Sequence, residues 1–280
     1  MIEPANSRVA PRVGIGRQSR MRLQDRTWRE VEDYLGTSRA IIIPSGSTEQ
    51  HGPIGVIGTD SICAESIAGA VGDSVGALVA PVISFSPAPF NLSFPGTISI
   101  PEDVFAALVR EIIRSLHSQG FASFYFLNGH GANLRPLHAI DVSALENARI
   151  RIRSWWEFPE TMSLRQELYG DWEGMHATPS EISVTQAVGR VISADDAPES
   201  LVQPERLSQE FIRARAGDRH GPPDEHRARF PDGRVGSHSA LACPDHGLEL
   251  MKTAVTEIAE DFLGFAGPTL DGERRNGVST

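Results

Sequence analysis

The chain has 280 residues, long for one domain yet within the reach of an α/β fold built round one sheet, so a large core is possible. Asp and Glu total 36 against 26 Lys and Arg, a formal charge of −10, which argues against capture of nucleic acid or an anionic membrane and favours small neutral or cationic partners. Cys63 and Cys243 belong to no CxxC or CxxH pair, which excludes a disulfide scaffold and a thiolate zinc site and makes a reducing cytoplasm the expected compartment; no apolar run approaches the ~20 residues that span a bilayer.

Residues 1–26 carry Arg8, Arg12, Arg17, Arg20 and Arg22 among Pro, Gly and Ser with no apolar period, the pattern of a flexible arm. One domain is expected over 27–267. Thr27–Leu35 predicts a short helix stopped by Gly36, and Ala40–Pro44 (AIIIP) predicts a buried parallel strand. A Gly- and Pro-rich stretch follows, and Asp60 opens the helical run DSICAESIAGAV. Ala77–Phe85 predicts a second strand. Glu102–His117 has acidic residues in its first turn, apolar residues at helical spacing and Gly120 beyond its end, which predicts an amphipathic crossover helix. Phe121–Leu127 and Ala148–Trp155 predict further strands, and Thr178–Val191 and His246–Phe265 predict helices. The Arg-, Pro-, Gly- and His-rich stretch 206–245 is too long for an ordinary connection and reads as a functional loop or lid, or else a solvated surface loop. Residues 268–280 read as a disordered tail. Strands alternating with helices predict a mostly parallel sheet covered on both faces, with ligands bound beyond the carboxyl ends of the strands.

Three segments carry candidate chemistry. In PSGSTEQHGPIGVIGTD, directly after the first strand, Glu49 and His51 are two apart and project to one side of an extended chain, while Asp60 is either folded back toward them or simply a helix N-cap. Asn128-Gly129-His130-Gly131-Ala132-Asn133 follows the strand FASFYFL, and its glycines allow a sharp turn that brings His130 close to a ligand. In MHATPSE, Thr178, Pro179 and Glu181 form a capping box, which explains Glu181 structurally but leaves His176 unexplained. Together they supply imidazoles and carboxylates with no thiolate, a donor set suited to Zn²⁺ or Mn²⁺, with a carboxylate available to bridge two ions.

EQHGP followed by GTD, then NGHGAN, then a His-Ala pair followed by Glu on a helix, resembles the creatininase family of metal-dependent amidohydrolases, and Phe94–Ser99 (FPGTIS) is also similar to a family segment. The resemblance runs from about Arg29 to Phe265. It implies a three-layer α/β/α sandwich with a mostly parallel central sheet and two adjacent ions, Zn²⁺, Mn²⁺ or Fe²⁺. By matching positions, Glu49 and His130 would bind one ion and His51 the other, with Asp60 between them. Creatininase has a Glu in its NGH segment where this chain has Ala132, so Glu181 becomes the substitute ligand. His176 matches the catalytic His, and Trp172 falls at a substrate-contacting Trp, although core packing would also explain an aromatic there. Ile54 and Asn91 stand where many members have His, which points to a substrate other than creatinine; Asn91, Arg234, Ser237 and His238 become candidate substrate contacts. A homo-oligomer, a hexamer, is implied as well.

The expected reaction is hydrolysis of a C–N bond in a small, linear or cyclic amide by a hydroxide bridging the two ions, with His176, assisted at the site by Glu181, moving the proton to the departing nitrogen. The rivals are a deformylase, small-peptide peptidase or ring-ketone hydrolase on the same scaffold, and a non-catalytic metal or small-molecule binding protein. Gly14-Ile15-Gly16 follows no strand, and the chain has neither a GK[ST] phosphate loop nor a GxSxG elbow.

Overall fold

The computed structural model describes residues 19–197 and 201–267. Residues 1–18 of the expected arm and the expected tail 268–280 lie outside the described residues. Residues 19–26 run beside the sheet, where Arg22 bridges Val79 and the Met21 carbonyl accepts the Val79 amide at 2.9 Å.

The helix α1 (Trp28–Leu35) opens at Thr27, whose hydroxyl accepts from the Glu30 amide while Glu30 reaches back to the Thr27 amide, so two donors of the first turn are satisfied. Four strands, β1 (Ala40–Ser45), β2 (Leu78–Val79), β3 (Ser123–Asn128) and β4 (Arg149–Ser154), pair in parallel in the order β2-β1-β3-β4. Between and after them lie α2 (Thr59–Val75), α3 (Glu102–Ser118), α4 (Leu134–His138), α5 (Pro159–Tyr169), α6 (Pro179–Val188), α7 (Gln209–Arg215), α8 (Pro223–Arg229) and α9 (Pro244–Ala266).

Alternation along β1 explains the layers. Ile41 and Ile43 face α3, packing with Phe105, Val109 and Ile113, whereas Ala40 and Ile42 face α2 and α9, packing with Ile67, Val71, Val255 and Ile258. Both faces of the strand are therefore buried, each fully covered Ile contributing roughly 1.5–3 kcal/mol of transfer free energy, and the result is the expected α/β/α sandwich. Ser45 pairs with Asn128, so the segments leaving β1 and β3 start side by side at the carboxyl edge of the sheet. Among the described residues no helix is long and apolar enough to cross a membrane.

Two local expectations are corrected. The strand expected over Ala77–Phe85 has a ladder only at Leu78–Val79. Pro81 has no N–H and a fixed φ, so the chain leaves the sheet there and returns through a single bridge, with the Ile83 amide on the Pro44 carbonyl at 3.0 Å. The stretch 206–245 is not a bare loop, because α7 and α8 form within it, the first capped by the Ser208 hydroxyl and the second opened by Pro223 at its first position.

Candidate functional site

The loop after β1 crosses to the start of α2 and is pinned at both ends. Ser61 Oγ donates to the Ser47 carbonyl at 2.8 Å, and Ser47 Oγ donates to Asp60 Oδ2 at 2.7 Å, which folds Asp60 back toward Glu49 and His51. Asp60 thus sits in the first turn of the helix, whose N-cap is Gly58 and not Asp60, and faces the loop before it. The turn after β3 is braced by its asparagines: Asn128 Nδ2 donates to the His130 carbonyl at 2.7 Å, and Asn133 Nδ2 donates to the Gly46 carbonyl at 2.9 Å. Gly129 must be a glycine, since a Cβ there would run into the Asp60 carbonyl. His176 is fixed by the segment after α8. Val235 pairs with it in an antiparallel bridge, and Ser237 Oγ donates to its carbonyl at 2.7 Å.

These three pieces bring the candidate ligands into one buried cluster. Asp60 Oδ1 lies 2.9 Å from His51 Nε2, and Asp60 Oδ2 lies 2.9 Å from His130 Nδ1. His130 Nδ1 also faces Glu49 Oε1 at 3.1 Å, and Glu181 Oε1 stands 3.9 Å from His51 Nε2. Glu49, Asp60 and His130 form one group with metal-ligand spacing, His51, Asp60 and Glu181 a second that shares Asp60, and Glu49, His51 and His176 a third. Glu181 also closes a capping box with Thr178, accepting the Thr178 amide, so the cap and the cluster use the same carboxylate.

The donor set fits divalent cations. Each imidazole has one nitrogen against a backbone carbonyl: His51 Nδ1 on Glu49 at 3.0 Å, His130 Nε2 on Pro87 at 2.8 Å, and His176 Nε2 on Gln50 at 2.7 Å. A carbonyl only accepts, so in the neutral imidazole the proton sits on that nitrogen, and the other nitrogen is the one turned toward the carboxylates. Glu49 Oε1 is buried without a hydrogen bond. Imidazole nitrogens and carboxylates that face one another in a dry site are held together by positive charge, a proton or a metal ion. The protonation balance agrees. Burial opposes charge on all these groups, yet Asp60, Glu181 and Glu49 outweigh it and raise His51 to about 10, while His51 and His130 hold Asp60 well below the carboxylate range. Burial pushes Glu181 up to about 8 and Asp218 up to about 6, and burial together with neighbouring His51 lowers His176 to about 4.

The cluster opens on a cavity of about 280 Å³ lined by Asp60, His130, His176 and Glu181, and also by Trp155, Trp156, Arg165 and Asp218. Arg165 is engaged by Glu173 at 2.7 Å.

The family described as "Creatininase: Creatinine amidohydrolase" matches residues 24–262. The chain belongs to the creatininase family. It is 25% identical over 180 residues to "Creatinine amidohydrolase" of Pseudomonas putida, covering 58% of this chain and 69% of that protein. It is 37% identical over 105 residues to "Mycofactocin precursor peptide peptidase" of Mycolicibacterium smegmatis, covering 35% of this chain and 42% of that protein. With "3-dehydro-scyllo-inosose hydrolase" of Thermotoga maritima it is 32% identical over 109 residues, covering 39% and 35% of the two. The matches thus span under half the length of the last two relatives. The fold is that of solved creatininase structures: one superposes with a TM-score of 0.72 at 21% identity over 90% of this chain and 100% of the other, and one named "Creatininase Mn" with 0.71 at 21% identity over 89% and 99%.

In this creatininase-family chain the five expected substrate contacts do not line the cavity described above. Asn91 is buried, donating Nδ2 to Glu49 Oε2 at 2.8 Å and accepting from Gln50 Nε2 at 2.8 Å. Arg234 is locked onto Asp232 at 2.7 Å, and Ser237 spends its hydroxyl on the His176 carbonyl. Trp172 lies edge-on to His238 with ring centroids 6.1 Å apart and under Arg206 at 4.7 Å. Asp60, His130, His176 and Glu181 line the cavity as candidates, whereas Trp155, Trp156, Arg165 and Asp218 carry no such expectation from the sequence. Trp155 and Trp156 follow β4 at the carboxyl edge of the sheet, a position that marks ligand sites in such folds. Asp218 sits in the turn after α7, with no local motif to mark it.

Proposed function

We propose that this protein hydrolyses a C–N bond in a small, linear or cyclic amide with the help of two divalent ions, Zn²⁺, Mn²⁺ or Fe²⁺. The observation that carries this reading is Asp60, whose two oxygens each face a different imidazole at 2.9 Å. Glu49, Asp60 and His130 would hold one ion, and His51, Asp60 and Glu181 the other. Ions held there supply Lewis acidity, lowering the pKa of water and offsetting charge that develops on an attacked carbonyl oxygen.

The rest is the work of the chain. His176 is neutral because burial and His51 lower it to about 4, and its Nε2 proton is committed to the Gln50 carbonyl. Its Nδ1 lone pair takes the proton of the attacking water and returns it to the departing nitrogen. Asn91 holds Glu49 from behind, and Ser237 and Val235 hold the backbone of His176. Trp155 and Trp156, packed edge to face with ring centroids 6.0 Å apart, give the cavity an apolar wall. Arg165 is already paired with Glu173, so the lining favours neutral or cationic substrates, in keeping with the net charge of −10. Assembly as a homo-oligomer, a hexamer, and a cytoplasmic location belong to the same proposal and rest on the family resemblance and the cysteine usage.

A second reading is favoured by the names of two relatives, a peptide peptidase and a ring-ketone hydrolase. The same cluster would then attack a peptide or a cyclic ketone.

The test is metal content per chain by elemental analysis, with turnover of cyclic amides, linear amides, peptides and ring ketones. The parent is expected to hold close to two ions, and Glu49→Ala with Asp60→Ala to lose both ions and activity. A parent that takes up no ion from excess Zn²⁺ or Mn²⁺ overturns the reading; turnover of the ketone or peptide alone replaces the first reading by the second.

A further inference from the structure

Four features converge on Asp218. Its Oδ2 lies 3.8 Å from His130 Nδ1, the same nitrogen that faces Glu49 Oε1 at 3.1 Å and Asp60 Oδ2 at 2.9 Å. Three carboxylates, one from the loop after β1, one from the first turn of α2 and one from the turn after α7, therefore surround one imidazole nitrogen.

The fit is built from both sides. A Cβ at Gly131 would collide with the Asp218 carboxylate, so the carboxylate occupies the space that this glycine leaves, and the Ala132 amide hydrogen-bonds it. Asp218 itself has φ 54°, a left-handed conformation that a non-glycine residue holds only where its surroundings impose it. The chain on either side is moored to the same wall of the site. His220 and His226 are buried with their Nε2 atoms unpaired, and both pack on Phe90 with ring centroids 4.6 and 5.1 Å away, while Phe90 lies edge-on to His176 at 5.9 Å. Among the described residues Asp218 has no Lys or Arg partner; its other oxygen is 3.9 Å from His220 Nε2.

We infer that Asp218 is a further residue of the cation site, and that loading the Glu49–Asp60–His130 group ties the segment 209–229 down over the pocket. The inference rests on the metal reading given above. An ion on His130 Nδ1 would lie within reach of the Asp218 carboxylate, which is 3.8 Å from that nitrogen. The segment from α7 to α8, whose far end Asp224 and Arg227 tie to Ser93, then becomes a cover whose closure at Asp218 depends on the ion.

The experiment compares the parent with Asp218→Asn and, as a charge control in the same segment, Glu210→Gln. Asn tolerates a positive φ, so the variant keeps the turn while losing the charge. Mn²⁺ and Zn²⁺ affinities are read by equilibrium dialysis with elemental analysis. Closure is read separately, as the rate of tryptic cleavage after the exposed Arg213 and Arg219 with and without Mn²⁺. The parent and Glu210→Gln are expected to bind two ions and to be protected by Mn²⁺. Asp218→Asn is expected to bind one of the two about 10- to 100-fold more weakly, the usual loss when a group supporting a ligand is removed, and to lose the protection. If Asp218→Asn does not fold, Asp218→Gly, which also suits a positive φ, is read in the same two ways. Parent-like affinity in the variant overturns this proposal and leaves the metal site standing, and weaker binding with no change in cleavage overturns the closure. A parent that binds no ion takes both down together.

Discussion

Asn91 Nδ2 stands 2.8 Å from Glu49 Oε2, and both residues are fully buried. One oxygen of Glu49 is thereby fixed by an amide, and the other is left facing His130. Asn91→Leu removes the donor and leaves a buried carboxylate oxygen unpaired, a loss of about 1–3 kcal/mol. Metal affinity is expected to fall about 10- to 100-fold, with kcat reduced and KM little changed, measured by metal competition and steady-state kinetics.

Stripping the ions should destabilise the fold as well as silence the site. Glu49, Asp60, Glu181 and Asp218 share a buried cluster whose nearest protein charges are imidazoles. An ion at 100 times its Kd stabilises the native state by about 2.7 kcal/mol. Scanning calorimetry is therefore expected to show a fall of roughly 5–10 °C in Tm after chelation, with recovery when Mn²⁺ is returned.

Gly129→Ala tests the close approach of the turn after β3 to the start of α2. The new methyl meets the Asp60 carbonyl and the Ala64 side chain, and backbone cannot yield as a flexible side chain can. Overpacking of this kind costs about 1–3 kcal/mol. The displaced Asp60 should also weaken metal uptake, so denaturation midpoint and ion stoichiometry are expected to fall together.

The far side of the sheet carries a separate pH dependence. Asp261 accepts from Tyr125 Oη at 2.9 Å and pairs with Arg151 and Arg153 at 3.1 Å each. Burial works against its charge, but Arg153, Tyr125 and Arg151 hold the carboxyl below its ordinary 3.8. A depressed folded value means stability that is present above the unfolded value and is lost as pH falls through the folded one. Urea midpoints from about pH 6 down to about pH 3 should fall more steeply in the parent than in Asp261→Asn, which lacks this link; parallel curves would refute it.

Much of this fold is written in local pattern. The AIIIP run became β1, and FASFYFL became β3, because continuous apolar residues suit a strand buried on both faces. The apolar spacing of Glu102–His117 became α3 almost residue for residue. Glu49, His51, Asp60, His130, His176 and Glu181 could be grouped because each lies just after a strand or at a helix start, where a parallel sheet collects its ligands. What stayed hidden depends on contacts between distant segments. Asp218 reaches His130 only because α7 and α8 fold back over the pocket, and nothing in the local sequence around it marks that. Asn91 and Ser237 look like free polar groups in sequence, whereas packing spends them on Glu49 and the His176 backbone.

At the sheet's outer margin, β4 has no neighbour beyond it among the described residues. An open strand of this kind is a template on which another chain could add itself. Arg149, Arg151 and Arg153 alternate along it, reaching over the Phe265 ring and to Asp261 and the end of α9. Three guanidinium groups on a six-residue strand keep that margin hydrated. The same arginines that hold α9 in place thus guard the molecule against edge-to-edge aggregation.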